Sequence, residues 1–557
     1  MATRLRLRPW QSDALAKLRA SERSDFLAVA TPGAGKTTFA LAAAVHFLRE
    51  NRGSRLIIVA PTQHLKVQWA EAAARLGLHV DPDWSPREGS LPRDMHGIVT
   101  TYQQVASSAA ALRVLASDSF VIFDEIHHAG DDKAWGSSVI EAFEVAAQRL
   151  ALSGTPFRSD TSAIPFVRYH IDEAVPDYEY GYGEALADRR VVRPVFFPRI
   201  NGFMEWIAPD GETWSATFGD ELDRERANQR LRTALSLEGD WIGSVLHQAH
   251  DQLMKLRKVH PDAGGLVIAM DQAHAQGIAS LLRARYGVKA VVAVSDDPLA
   301  SEKIARFSET DDLWIVAVRM VSEGVDIPRL RVGVFATTTT TELFFRQAVG
   351  RLVRWTRGIP QQRAYFLIPD DPRLAAYANR MAEQRRHSLA KRSREDDPYA
   401  PDDQPDQVPT GDEDAEQMSL FAVVGSVALE SEVSTPKVSQ PSIFDDEFHH
   451  DDGEPWDHPN IEFGEEVDLA PPPPAGLAEG AASSWQRPGE TLKAAKVRLR
   501  DANAEAAREL ARATNLPHSQ INRELNRLAG VDRVTEATSE QLQRRLAAAN
   551  NWLRRLK

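Results

Sequence analysis

The chain has 557 residues, 43% of them hydrophobic, no cysteine and a formal net charge of −13. That length suits two to four domains of ~100–200 residues. The missing cysteine excludes disulfides, iron–sulfur clusters and cysteine-built zinc sites, and no run reaches the ~20 apolar residues that a membrane-spanning helix needs. No long apolar segment follows Met1 to Arg6, so no signal peptide is expected and a cytoplasmic location fits.

The first telling segment in chain order is Asp25 to Ala30, a short apolar run that reads as a strand. It ends in Ala30-Thr31-Pro32-Gly33-Ala34-Gly35-Lys36-Thr37-Thr38, and from Thr37 to Ala44 the residues are helix formers. Strand, glycine loop and helix N-terminus together make a phosphate cradle, in which backbone N–H groups and the helix dipole face the anion. In that reading Thr31 to Thr38 hold ATP, Lys36 reaches the β- and γ-phosphates, and the Thr37 hydroxyl holds Mg²⁺. A glycine-rich turn that merely precedes Lys-Thr is the bland alternative.

Strands are expected at Leu56 to Ala60, Gly97 to Thr100, Phe120 to Phe123 and Leu150 to Leu152, alternating with helical stretches. The run Ser119 to Phe123 reads as a buried parallel strand with Asp124 and Glu125 at its carboxyl end, where ligands bind in open α/β sheets. Asp124 is expected to complete the Mg²⁺ shell, and Glu125 to orient or deprotonate the attacking water. Isolated, such a pair would read as a solvated strand end; its place after the glycine loop favours chemistry. His127 and His128 are poor metal ligands, being adjacent and without cysteine partners. His127 is instead expected, with Ser153 and Thr155, to link the ATP site to the Ser153-Gly154-Thr155-Pro156 segment.

Residues 199 to 262 are mostly polar, with a helical pattern from Glu221 to Lys258. A second alternating unit begins near Gly264, with strands at Gly265 to Met270, Leu313 to Val318 and Val332 to Ala336, and a helix from Gln272 to Tyr286.

These segments together resemble a superfamily 2 helicase or translocase of the DEAD/DEAH type, near the branch of restriction-enzyme motor subunits, over residues 1 to about 370. The resemblance implies an α/β fold of two tandem RecA-like doubly wound parallel-sheet lobes, with ATP and Mg²⁺ held where the lobes meet. Arg8-Pro9-Trp10-Gln11 is similar to the adenine-reading element, with Gln11 on the base. Pro61 and Thr62, and Thr100, Thr101 and Tyr102, are similar to the elements that hold a nucleic-acid backbone. Ser322 to Pro328 and Gln347 to Arg354 resemble the last two motifs. By that likeness Gly324 and Asp326 approach the nucleotide, Gln347 positions the γ-phosphate or water, and Arg351 and Arg354 are the arginine fingers. Alone, Gln347 to Arg354 would read as an amphipathic helix with exposed arginines.

The charge is unevenly placed. Residues 393 to 490 carry 25 acidic against 3 basic side chains, residues 491 to 557 carry 14 basic against 7 acidic, and the first 392 are near +2. The expected division is a first lobe over 1–187, a second over 188–392, an acidic Pro-rich disordered linker over 393–490, and a basic helical module over 491–557. Two islands in the linker, Gln417-Met418-Ser419-Leu420-Phe421 and Gln440-Pro441-Ser442-Ile443-Phe444, resemble the peptides that dock on the sliding clamp. Gln417, Leu420, Phe421, Gln440, Ile443 and Phe444 would make those contacts; chance apolar residues or another partner are the alternatives. The spacing of Val497, Leu499, Leu510, Leu516, Ile521, Leu525 and Leu528, with a capping box at Thr538 to Gln541, predicts about three helices in the last module, for DNA contact or protein docking.

The resulting expectation is an ATP-hydrolysing motor on nucleic acid, with DNA favoured over RNA. Its rivals are a duplex translocase serving a nuclease or defence partner, and a nucleotide-switched scaffold.

Overall fold

In the computed structural model the described residues are 4–88, 90–130, 133–154, 164–170, 173–188, 190–294, 297, 299–318, 327–356, 358–359, 362–396, 422–428, 466–468, 471–474 and 492–556. They form two compact units, one of residues 1–29, 35–179 and 461–557, the other of residues 30–34 and 180–460.

The first unit runs β1 (Arg4–Arg6), α1 (Pro9–Ala20), β2 (Asp25–Ala30), α2 (Lys36–Glu50), β3 (Leu56–Ala60), α3 (Gln63–Arg75), β4 (Val80–Asp81), β5 (Gly97–Thr101), α4 (Tyr102–Ala116), β6 (Phe120–Phe123), α5 (Lys133–Phe143) and β7 (Gln148–Ser153). A short hairpin β8–β9 (Tyr169–His170, Glu173–Ala174) and β10 (Tyr178–Tyr180) follow. The sheet order is β10-β2-β7-β6-β3-β5-β4, with parallel pairing from β2 to β4. All five residues of β3 are buried, which its unbroken Leu-Ile-Ile-Val-Ala run requires once helices cover both faces. Ile57, Val59, Ile98, Val121 and Phe123 pack there with Tyr102, Val105 and Leu112 of α4.

The second unit contains α6 (Tyr182–Ala187), β11 (Val195–Phe196), β12 (Arg199–Ile200), β13 (Gly202–Ile207), β14 (Thr213–Thr217), α7 (Arg224–Leu235), α8 (Asp240–Arg257), β15 (Gly264–Ala269), α9 (Gln272–Tyr286), β16 (Val291–Ala293), α10 (Ala300–Glu309), β17 (Trp314–Val318), β18 (Leu330–Ala336), α11 (Glu342–Gly350), β19 (Ala364–Pro369) and α12 (Pro372–Asp396). Its sheet order is β11-β19-β18-β15-β17-β16, again parallel. A Cβ on Gly265 would lie 2.4 Å from the Trp314 ring, so glycine lets that buried indole lie against β15. The chain thus folds as two RecA-like lobes with a C-terminal helical region. The long helical pattern from Glu221 to Lys258 divides into α7 and α8, with Ser236 capping the end of the first helix.

Within the acidic segment 393–490 the described residues include the end of α12, to Asp396, and two strands, β20 (Ala422–Ala428) and β21 (Glu466–Asp468). β20 adds antiparallel to β13 of the second unit, and β21 pairs with β1 of the first, setting Asp468 opposite Arg4 and Glu466 opposite Arg6. Average composition concealed both, because Ala-Val-Val-Gly-Ser-Val-Ala is a strand former inside an acidic stretch.

The C-terminal module is α13 (Leu492–Thr514), α14 (His518–Ala529) and α15 (Ser539–Leu556). Leu510, Ile521, Leu525 and Ala549 form part of its core, and the buried Arg545 guanidinium donates to the side-chain carbonyls of Asn526, Asn503 and Asn522. Inside the first unit the module is anchored by charge. Lys496 Nζ donates to Asp94 Oδ1 at 2.6 Å, while Ser539 donates its N–H and hydroxyl to Asp94 Oδ2 at 2.7 and 2.8 Å. Lys493 pairs with Asp81 at 2.7 Å, and His96 Nε2 meets the Pro472 carbonyl at 2.9 Å.

Candidate nucleotide site

β2 delivers the chain to the glycine loop, and α2 begins at Lys36 with Gly35 as its cap. Gly33 and Gly35 have φ of +86° and +96°, left-handed values that strain any side-chain-bearing residue. Gln11 lies under this turn: its Nε2 donates to the Gly35 carbonyl at 2.9 Å, and its Oε1 accepts the Arg8 N–H at 2.8 Å. Both ends of the amide are thereby engaged in holding the loop to the start of α1.

Lys36 Nζ reaches Glu125 Oε1 at 2.7 Å, and Glu125 Oε2 accepts the Gly154 N–H at 3.0 Å. Glu125 also sits at φ +46°, a strained position for a non-glycine residue, two residues past the end of β6. His127 Nδ1 is 3.6 Å from Glu125 Oε2. Burial raises the Glu125 carboxyl, but the Lys36 ammonium and His127 outweigh it, so this acid stays ionised well below the usual range. Its neighbour goes the other way: burial first, and then the Glu125 charge, lift the Asp124 carboxyl above its ordinary value. Two adjacent carboxylates are thus pushed in opposite directions, Glu125 towards its charged form and Asp124 towards its neutral one.

Asp124 is 9% exposed and is fixed by two aromatic side chains. Trp69 of α3 donates its indole N–H to Oδ2 at 2.8 Å, and Tyr102 of α4 donates its hydroxyl to the Asp124 carbonyl at 3.0 Å. Neither contact was expected from the sequence, where a tryptophan on an amphipathic helix reads as core. The Gly154 N–H was likewise missed; Ser153 is fully buried and the contact to Glu125 comes from the backbone of the next residue.

The expected backbone-holding residues fall at helix starts. Thr62 caps α3, accepting the Leu65 N–H at 3.4 Å, and Pro61 precedes it. Thr101 caps α4 in a capping box with Gln104; Thr100 and Tyr102 flank it, both buried. Thr31 is buried, and Pro32, Thr37 and Thr38 are half-buried. In the second unit α11 carries Gln347, Arg351 caps its end, and Arg354 forms an isolated bridge with Val192. Residues 30–34 cluster with this unit, where Arg354 Nη1 lies 3.1 Å from the place a Cβ on Gly33 would take. Thr155, Gly324 and Asp326 lie outside the described residues, as do Gln417, Leu420, Phe421, Gln440, Ile443 and Phe444.

The donor set fits Mg²⁺: the Asp124 carboxylate, which follows β6, and the Thr37 hydroxyl in the first turn of α2 are both hard oxygen ligands. Among the described residues no helix is long and apolar enough to cross a membrane.

Residues 4–158 match the family model of the Type III restriction enzyme res subunit. An uncharacterized protein of Mycobacterium tuberculosis is 46% identical over 396 residues, 70% of this chain and 65% of its own length. One of Mycobacterium leprae is 45% identical over 396 residues, 70% of this chain and 66% of its own. The matched part of the chain therefore spans just under two thirds of these relatives. The ATP-dependent Type ISP restriction-modification enzyme LlaBIII bound to DNA is 16% identical, covering 68% of this chain and 30% of its own, with a TM-score of 0.47. A likeness at that level says nothing of activity. With its glycine loop, its Asp-Glu strand end and a parallel sheet in each unit, the chain has an α/β fold of two RecA-like lobes.

Proposed function

We propose that the chain is an ATP hydrolase that drives a helicase or translocase on nucleic acid. The observation that carries this is the linked set Lys36–Glu125–Gly154, with Asp124 next to Glu125 in the chain: a lysine at the start of α2 bonded to an ionised carboxylate that follows β6. Lys36 exchanges Glu125 for the terminal phosphates of ATP, and this frees Glu125 to take a proton from the attacking water. Bound Mg²⁺ would neutralise phosphate charge, with Thr37 and Asp124 as its protein ligands. Gln11, through Gly35, holds the loop in shape. Gly324, Asp326 and Gln347 belong to the same reading, and Arg351 and Arg354 supply cations for charge that develops on the transferring phosphoryl. His127, Ser153 and Thr155 pass the state of Glu125 to the segment after β7.

Nucleic acid is held through Pro61, Thr62, Thr100, Thr101 and Tyr102 by its backbone, and so without base preference. DNA is favoured over RNA. The linker peptides would dock a sliding clamp, and a nuclease or defence partner fits the duplex-translocase variant, which the restriction-subunit match favours. The test is ATP turnover with single-stranded DNA, duplex DNA and RNA in turn, wild type beside Lys36→Ala. Stimulated turnover that the substitution abolishes supports the reading, and full turnover by Lys36→Ala refutes it. Triplex displacement without strand displacement would select the duplex translocase.

A further inference from the structure

The helices that begin at the two expected backbone-holding elements are the same helices that fix Asp124. α3 starts at the Thr62 cap and places Trp69 on Asp124 Oδ2 at 2.8 Å. Trp69 lies seven residues past that cap, ~10 Å along a rigid helix. α4 starts at the Thr101 cap, and its first residue, Tyr102, holds the Asp124 carbonyl at 3.0 Å. The two helices are also tied to each other. Lys66 of α3, itself 4% exposed, donates to Gln104 Oε1 of α4 at 2.8 Å. The same oxygen accepts the Thr101 N–H at 3.3 Å and the Thr100 hydroxyl at 3.4 Å. A displacement at either helix start therefore carries the other helix with it, and both end on one aspartate.

We propose that Trp69 and Tyr102 are positioning residues that couple nucleic-acid binding at the starts of α3 and α4 to Mg²⁺-nucleotide binding at Asp124. This rests on the motor reading above and adds a route between its two sites. The two bonds act on different parts of Asp124, the indole on the carboxylate and the phenol on the peptide carbonyl. Together they set both the rotamer and the backbone plane of the residue. A backbone shift at Thr62 or Thr101 thus alters the presentation of the carboxylate with no contact between nucleic acid and nucleotide. A purely structural role for these rings predicts something else: loss of the polar atoms would weaken the protein, or either ligand separately, without changing how one ligand affects the other.

Linkage supplies the test, because coupling between two binding sites is reciprocal and is read as a ratio of dissociation constants. The affinity for a fluorescein-labelled oligothymidylate is measured with and without a nonhydrolysable ATP analogue plus Mg²⁺, on the full chain. Wild type, Trp69→Phe and Tyr102→Phe are compared, and thermal unfolding is followed in parallel. Both substitutions keep an aromatic ring and remove the hydrogen-bonding group. Wild type should show a ratio in the ~5–150-fold range typical of coupled sites. Each variant should bring that ratio down at least ~5-fold towards unity, whatever happens to the separate affinities. A wild-type ratio of one, or variants that retain the full wild-type ratio, overturns the proposal. Failure of the wild type to bind either ligand would instead defeat the motor reading itself, and the coupling with it.

Discussion

Lys496→Met should detach the C-terminal helices from the first lobe. Lys496 and Asp94 are 2% and 3% exposed at their side chains, and the bond between them is 2.6 Å. Removing the ammonium leaves Asp94 buried, its negative charge met by the two Ser539 donors and the Arg55 charge. Breaking one side of a buried pair costs ~3–5 kcal/mol, against ~0–1 for an exposed pair such as Arg19–Glu50. Neutralising the partner as well, in Asp94→Asn with Lys496→Met, removes the stranded charge and should restore a large part of the loss, giving a coupling that a double-mutant cycle can isolate. Urea unfolding followed by circular dichroism supplies the free energies, and limited trypsin digestion shows whether α13 to α15 are released first. A loss below ~1 kcal/mol with an unchanged digestion pattern would show that the buried pair does not hold the module.

Gly35→Ala should raise the KM for ATP, since the new Cβ would sit 2.8 Å from Gln11 Nε2 on a backbone at φ +96°; an unchanged KM in steady-state kinetics would contradict the loop assignment. Arg354→Ala should lower kcat by ~10³–10⁵ with nucleotide affinity largely kept, measured by single-turnover quench against equilibrium binding; an unaltered rate would end its role as a finger. His96 makes stability sensitive to acid. Its Nδ1 accepts the His79 N–H at 2.9 Å, so the ring is neutral, and burial lowers its pKa from 6.5 to about 4. The unfolded chain binds the proton more readily, so this contribution is complete above pH 6.5 and is lost as pH falls to about 4. At ~1.4 kcal/mol per pKa unit the loss approaches ~3 kcal/mol. Denaturation midpoints across that window should fall for wild type and fall less for His96→Gln; parallel profiles would refute the assignment.

The sequence alone determined what neighbours in the chain can enforce. Gly33 and Gly35 permit the left-handed turn, the unbroken apolar runs at Leu56 and Phe120 specify covered parallel strands, and Gln272 to Tyr286 is a helix between the very residues its pattern marks. Tertiary structure decided what depends on distant partners. Trp69 meets Asp124 across 55 residues of chain, and Lys496 meets Asp94 across 402. The strand Ala422–Ala428 exists by adding to β13. A tryptophan on an amphipathic helix and a lysine in a basic module carry no local mark of such roles. Periodicity reports which face of an element is buried, while the partner of a polar atom on that face is fixed only when the lobe closes around it.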